Sequence, residues 1–381
     1  LSLLFMSQNK YIKNLDGLQI PIDFTNKDKL KSSCDIPSTV ADRPSNSLRA
    51  ESLWVTMSNG EQIHLKHIFS KKILAKQRKK IGIFMLHGES ESGSIFFNNK
   101  SNNLASRLAS EGYDVFVADL PGRGRSLGSN DGYADSTIHK IVTEGIPKLI
   151  SRIKDILSTK QLETTSQYKA KMIWIAHGFN SCLLTAAWSR LDEKKKSNVY
   201  MVFFSARRKL ISKNISSRII KFIFRQKLTS ILLKYHGKFP AKKIRFGSCD
   251  ENLDWYHVYN NWINSDSWID AVDLFDYKKS LKINPIPSSL YFSCAVESFF
   301  GGIVDTRHFI NDQGFHDARI FVLDKKYNCR SMLANNAAID VIFQKLIFWL
   351  KERYAYPDCD FNQDSLVNET SLLDKPGVLI S

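Results

Sequence analysis

The chain has 381 residues, 43% of them hydrophobic and 12% aromatic. That is enough apolar material for a large buried core, and it excludes a disordered chain, a collagen-like repeat and a disulfide mini-protein. The net charge of +16 is local: residues 194–249 hold 16 Lys and Arg and no acid, leaving 38 of the 54 bases against the 38 acids elsewhere.

Such a basic segment can meet phosphates, an anionic membrane surface or an acidic ligand, or it can be a solvated helical face. No nucleic-acid motif accompanies it, so nucleic acid is not an expected partner. No apolar run approaches the ~20 residues needed to cross a bilayer. The run Leu1 to Met6 is too short for a secretory signal, so a cytoplasmic location is expected, with membrane association open through the basic segment. The six cysteines (Cys34, Cys182, Cys249, Cys294, Cys329, Cys359) form no CxxC pair, and the sequence points to no disulfide framework, metal or cofactor.

Residues 1–50 show no steady period and read as a loosely ordered arm. Leu53 to Met57 and Gln62 to Leu65 flank Ser58-Asn59-Gly60, which predicts a hairpin whose two turn positions take positive φ. Alternation then begins. Ile81 to Leu86, Tyr113 to Ala118, Met172 to Ala176 and Val199 to Phe204 are continuous apolar runs, as strands buried on both faces should be. Helices are predicted over 101–111, 136–157 and 179–191. After about 80 residues without this rhythm it resumes with strand 289–293, helix 303–314, strand 319–323 and helix 334–352. The pattern predicts an α/β fold with a mostly parallel sheet flanked by helices. The expected organisation is an arm (1–50), a core (51–206 and 285–352), an inserted basic helical cap (207–284) and a mobile tail (353–381). Within the cap, 218–235 forms an amphipathic basic helix: a lid over the cleft, or an anchor on anionic lipid through Arg218, Lys221, Arg225 and Lys227.

Three junctions carry the chemistry. Strand 81–86 runs into His87-Gly88, strand 113–118 into Asp119-Leu120-Pro121-Gly122-Arg123-Gly124-Arg125-Ser126, and strand 172–176 into His177-Gly178-Phe179-Asn180 and a helix. In that order, on those elements, residues 50–352 resemble the α/β-hydrolase superfamily. The blocks Ile244 to Ser248 and Asp305 to Phe309 are similar to a bacterial serine-hydrolase, serine-aminopeptidase-like branch of it. The resemblance implies a nucleophile elbow Gly-x-Ser-x-Gly at the third junction, with a carboxylate and a histidine after two later strands.

This chain departs from that pattern. The elbow's serine position is Gly178, which has no oxygen to attack with, and the fifth position is Asn180. Glu297 fits the acid position. No histidine follows His316, which lies before the last strand, and the family's His position matches Cys329. Two of three triad positions are thus lost, which removes the activated nucleophile. His87, Gly88 and Phe179 are expected to form an oxyanion or anion nook that Glu89 and Glu91 would oppose. Ser181 is expected to bond to backbone at the helix start, Asp119 to shape a turn, and His177 to be structural and turned from the cleft. A Cys329–His177 pair is weighed and set aside. The first expectation is a non-catalytic member that keeps a cleft for a small acyl or ester-like ligand or a protein partner. The alternatives are a hydrolase of ester, thioester or amide bonds with a displaced catalytic set, such as Glu297 activating water, and a peripheral membrane protein held by the basic cap.

Overall fold

The computed structural model describes residues 11–13, 19–21, 47–73, 81–97, 103–126, 136–159, 171–192, 196, 199–211, 236–295, 302–314, 317–355 and 378–380. Within the stretch expected to be an arm, β1 (Tyr11–Lys13) and β2 (Gln19–Pro21) pair antiparallel. β3 (Leu48–Thr56) and β4 (Gln62–Ser70) form the hairpin expected around Asn59-Gly60, but with a different turn. Of the two turn residues only Gly60 has positive φ, at 84°. The Met57 N–H donates to Glu61 O at 2.8 Å and closes a three-residue loop, which needs one left-handed residue at its end rather than two in its middle.

The remaining strands are β5 (Ile81–Leu86), β6 (Asp114–Asp119), β7 (Lys171–His177), β8 (Val199–Phe204), β9 (Ser289–Cys294), β10 (Ala318–Leu323) and β11 (Val378–Ile380). They join a nine-stranded sheet in the order β11-β10-β9-β8-β7-β5-β6-β4-β3. From β6 to β11 every neighbouring pair is parallel, and β4 joins β6 antiparallel. β11 lies in the expected tail and pairs with β10 instead of standing apart.

The helices are α1 (Leu104–Ser110), α2 (Ile138–Lys140), α3 (Ile146–Thr159), α4 (Asn180–Ser189), α5 (Leu253–Asn264), α6 (Tyr277–Ile283), α7 (Ile303–Gln313), α8 (Ser331–Ala334) and α9 (Asn336–Ala355), with a π turn at Ile141–Gly145 joining α2 to α3. Their starts follow side-chain chemistry: Asn103 accepts the Ser106 N–H at 2.8 Å, and Asn252 and Asp276 do the same for α5 and α6. Successive residues of β5 face opposite ways. Phe84 and Leu86 pack with Leu149, Ile153 and Leu183 of α3 and α4, while Ile83 and Met85 pack with Leu108, Ile342 and Leu346 of α1 and α9. The central strands read as unbroken apolar runs because both faces are covered.

Two features of this architecture position the site. β6 and β7 lie on opposite sides of β5, so the crossovers diverge there and open a crevice at the carboxyl ends of β5 and β7. Between β8 and β9 the chain leaves the sheet and returns over that crevice. Trp255, Tyr259, Trp262, Trp268 and Tyr277 from this stretch join the main core. Arg208 is fully buried at its root, donating Nε to Asp312 Oδ2 at 2.7 Å and Nη1 to the Trp262 and Ser265 carbonyls at 2.7 and 2.8 Å. The expected amphipathic helix at 218–235, with Arg218, Lys221, Arg225 and Lys227, lies outside the described residues, as does Glu297. Among the described residues no helix is long and apolar enough to cross a membrane.

Candidate functional site

β7 ends at His177 and α4 begins at Asn180, leaving Gly178 at the apex of a two-residue turn. Its φ is +59°, and its N–H donates to Phe204 O at 2.8 Å. A side chain is strained in this backbone region, and glycine enters it without cost from a Cβ. A Cβ at Gly178 would lie 2.6 Å from Glu89 Oε2 and 3.3 Å from Arg207 Nη1. Glu89 therefore fills the space beside the apex. Its Oε2 accepts the Phe179 N–H at 2.9 Å, and the carboxylate is ion-paired with Arg207.

The second backbone donor expected in the nook is also taken. Gly88 N–H donates to Glu91 Oε2 at 3.0 Å. His87 turns away: its Nδ1–H donates to Gly88 O at 2.8 Å, and its Nε2 accepts the Leu120 N–H at 3.0 Å. Burial, and then the charge of Arg123, lower its pKa to about 4, so it is neutral. The donors expected to receive an anion thus receive carboxylates of the chain itself.

Asn180 finds room where a glycine is expected. It donates Nδ2 to His87 O and accepts the Tyr259 hydroxyl at Oδ1, both at 2.8 Å. Ser181 departs from expectation, since among the described residues its buried hydroxyl meets no hydrogen-bond partner. Asp119 shapes its turn as expected, accepting the Gly93 and Arg125 N–H groups at 2.7 and 3.1 Å. Arg123 is buried under Trp255 and pairs with Glu251, which also accepts from the Ser90 N–H. The Ser248 and Cys249 N–H groups donate to Ser90 O at 2.9 and 3.0 Å, so residues 244–251 clasp the loop after β5.

Beside the plugged nook lies a second cluster. Cys329, in the loop between β10 and α8, places its Sγ 3.4 Å from His177 Nε2 and 3.7 Å from Arg207 Nη1. His177 Nε2 is also 2.9 Å from Cys329 O, and its Nδ1 is 2.7 Å from Glu91 Oε2. Burial opposes charge on His177, but Glu91 and Cys329 outweigh it and hold the imidazole well above its ordinary pKa. Burial likewise opposes charge on Glu91, and His177 outweighs it, holding the carboxyl below its ordinary value. Cys329 follows the same pattern: burial favours the thiol, yet His177 and then Arg207 bring it down to about 7. The Cys329–His177 pair is therefore present, oriented by a carboxylate, against the expectation that His177 faces elsewhere.

Of the described residues, His139, Asp270 and Asp273 bring together three potential metal-ligand atoms. The Arg190 guanidinium spans both carboxylates at 2.7–2.9 Å and supplies the positive charge there.

No protein-family model matches the sequence. No curated protein matches it either. Among solved structures, the α/β hydrolase GrgF of Penicillium sp. sh18 superposes over 81% of this chain and 99% of its own, with a TM-score of 0.50 at 11% identity. The chain has the α/β-hydrolase fold. An esterase from Pyrococcus furiosus covers 81% of this chain and 92% of its own (TM-score 0.49, 12% identity), and naproxen esterase from Bacillus subtilis covers 80% and 92% (TM-score 0.45, 12% identity). Within this α/β-hydrolase fold, sequence reasoning placed Gly178 and Cys329 on adjoining loops but missed Glu89, Glu91 and Arg207 as partners. The signal was in the order of residues: two acids directly follow His87-Gly88, and an arginine follows the end of β8.

Proposed function

We infer that this α/β-hydrolase-fold protein does not perform serine-hydrolase catalysis and uses its cleft to bind a small acyl or ester-like ligand or a protein partner. The observation that carries the reading is the Glu89 carboxylate, which lies against Gly178 and accepts the Phe179 N–H at 2.9 Å. A hydrolase needs that N–H free to meet a developing oxyanion, and it needs a nucleophile where Gly178 stands. Here an internal anion, neutralised by Arg207, holds the donor. The contacts of Tyr259 with Asn180 and of Trp255 with Arg123 support reading the described part of the expected cap, 236–283, as a roof on the crevice.

The test is turnover of short- and medium-chain nitrophenyl esters together with fluorophosphonate labelling. The wild type is expected to show neither. Gly178→Ser with Cys329→His is expected to stay unlabelled while Glu89 holds the N–H, and addition of Glu89→Ala, which vacates both the acceptor and the space at the apex, is expected to admit label. Stabilisation of the wild type by a non-hydrolysable acyl analogue, read as a rise in Tm, tests the binding half. Serine labelling or ester turnover by the wild type overturns the reading.

A further inference from the structure

We propose that Cys329 is a reactive thiol site, held as a thiolate between His177 and Arg207, that small hydroperoxides oxidise to a sulfenic acid. The hydrogen-bond pattern carries the inference. Both nitrogens of His177 face acceptors: Glu91 Oε2 at 2.7 Å and the Cys329 carbonyl at 2.9 Å. A carboxylate and a carbonyl donate nothing, so both ring nitrogens carry protons and the ring is an imidazolium. The sulfur lies 3.4 Å from that cation and 3.7 Å from the Arg207 guanidinium. Two cations at these distances favour the thiolate.

Every element packed against the sulfur contributes to this balance. Arg330 on the same loop adds a further positive charge, Glu91 and the Glu89 carboxylate paired with Arg207 oppose, and Cys294 at the end of β9 is neutral, its thiol pushed up to about 12 mainly by burial. Cys182 and Cys249 are also raised by burial. Among the described thiols, Cys329 alone is poised to react.

The choice of electrophile follows from access. Cys329 is 2% exposed, although Asn328 beside it is exposed. An acyl donor is too bulky for such a sulfur, whereas a hydroperoxide brings only two oxygens. The thiolate attacks one peroxide oxygen, forming the S–O bond as the O–O bond breaks. Sulfur is oxidised by two electrons and the peroxide reduced. The leaving hydroxide takes the Nε2 proton of His177 and departs as water. This chemistry does not rest on the reading of the elbow, because neither Gly178 nor the Phe179 N–H takes part.

The experiment treats the purified folded chain with hydrogen peroxide at pH 6.5, removes the peroxide with catalase, unfolds the chain in urea containing dimedone and maps the adducts by mass spectrometry. Cys329 is expected to label about fivefold faster than any other cysteine, the thiolate gain at low pKa being partly offset by weaker nucleophilicity. The rate of peroxide oxidation of Cys329 against pH is expected to have its midpoint near 7. Glu91→Gln is expected to move that midpoint upward, and Cys329→Ser to abolish the label. The wild-type pH profile decides the matter if Glu91→Gln does not fold. A Cys329 that carries no label after peroxide treatment of the folded chain, or a midpoint at about 8.5 as in a free thiol, overturns the proposal. Ester turnover bears on the elbow alone, so the two readings fail separately.

Discussion

The Tyr259 hydroxyl donates to Asn180 Oδ1 at 2.8 Å, and this bond fastens α5 to the elbow turn. Both residues are buried. Tyr259→Phe removes the donor and is expected to cost about 1 kcal/mol of stability. Asn180→Ala also strands His87 O and is expected to cost about 2–3 kcal/mol. Urea unfolding of both variants and the double variant checks this, with a coupling of about 1 kcal/mol between them.

Glu251 stands at the other end of the same clasp. Glu251→Gln leaves Arg123 buried without its counter-charge and is expected to destabilise by about 3–5 kcal/mol. Limited proteolysis within 236–251 should accelerate in step, because the Ser90 anchor is weakened. Native-like resistance of this variant would show that the pair is dispensable.

Glycine at the apex makes its own prediction. Gly178→Ala forces a Cβ into the left-handed region and against Glu89. A loss of about 1–2 kcal/mol is expected from backbone strain alone. Thermal unfolding of Gly178→Ala beside wild type measures it.

The Cys329 cluster gives stability a pH dependence of definite sign. The thiol titrates near 7 in the folded chain against an ordinary value of 9.0. A depressed acid contributes stability that is complete above its unfolded value and lost as pH falls through its folded one. The margin of wild type over Cys329→Ser should therefore widen between pH 7 and 9, by about 2–3 kcal/mol. Glu91 acts in the same sense further down, its contribution present above about pH 4.5 and lost on acidification. His177 runs the other way: its raised pKa gives stability that is complete below about 6.5 and lost as pH climbs through the folded value. Unfolding free energies of the single variants across pH report the three as a coupled set, since each substitution also moves the pKa of the partners it leaves.

Much of the fold was legible because its strands are apolar on both faces, and an uninterrupted run as short as Ile81–Leu86, followed at once by His-Gly, suits a buried strand better than a helix. The turn after Thr56 differs from expectation because a lone Asn-Gly signal does not set loop length; the Met57–Glu61 backbone bond does. The apex glycine could be placed from strand, turn and helix alone. The partners of the site could not. His177 and Cys329 are 152 positions apart, and only the packing of the β10–α8 loop over the end of β7 brings the imidazole to the sulfur. Glu89 and Glu91 read in the sequence as opponents of an anion, when they are themselves the anions that the backbone donors hold.

Arg208 bears on how roof and sheet hold together. A roof laid over a finished sheet can be trimmed off and leave the sheet standing. Here a guanidinium at the root of the roof is without solvent and draws on Asp312 from α7 and on carbonyls at the C-terminal end of α5. Removing the roof would leave the ion pair with Asp312 but take away both carbonyl acceptors of Nη1. Sheet and roof are therefore expected to melt in a single transition, one peak in differential scanning calorimetry.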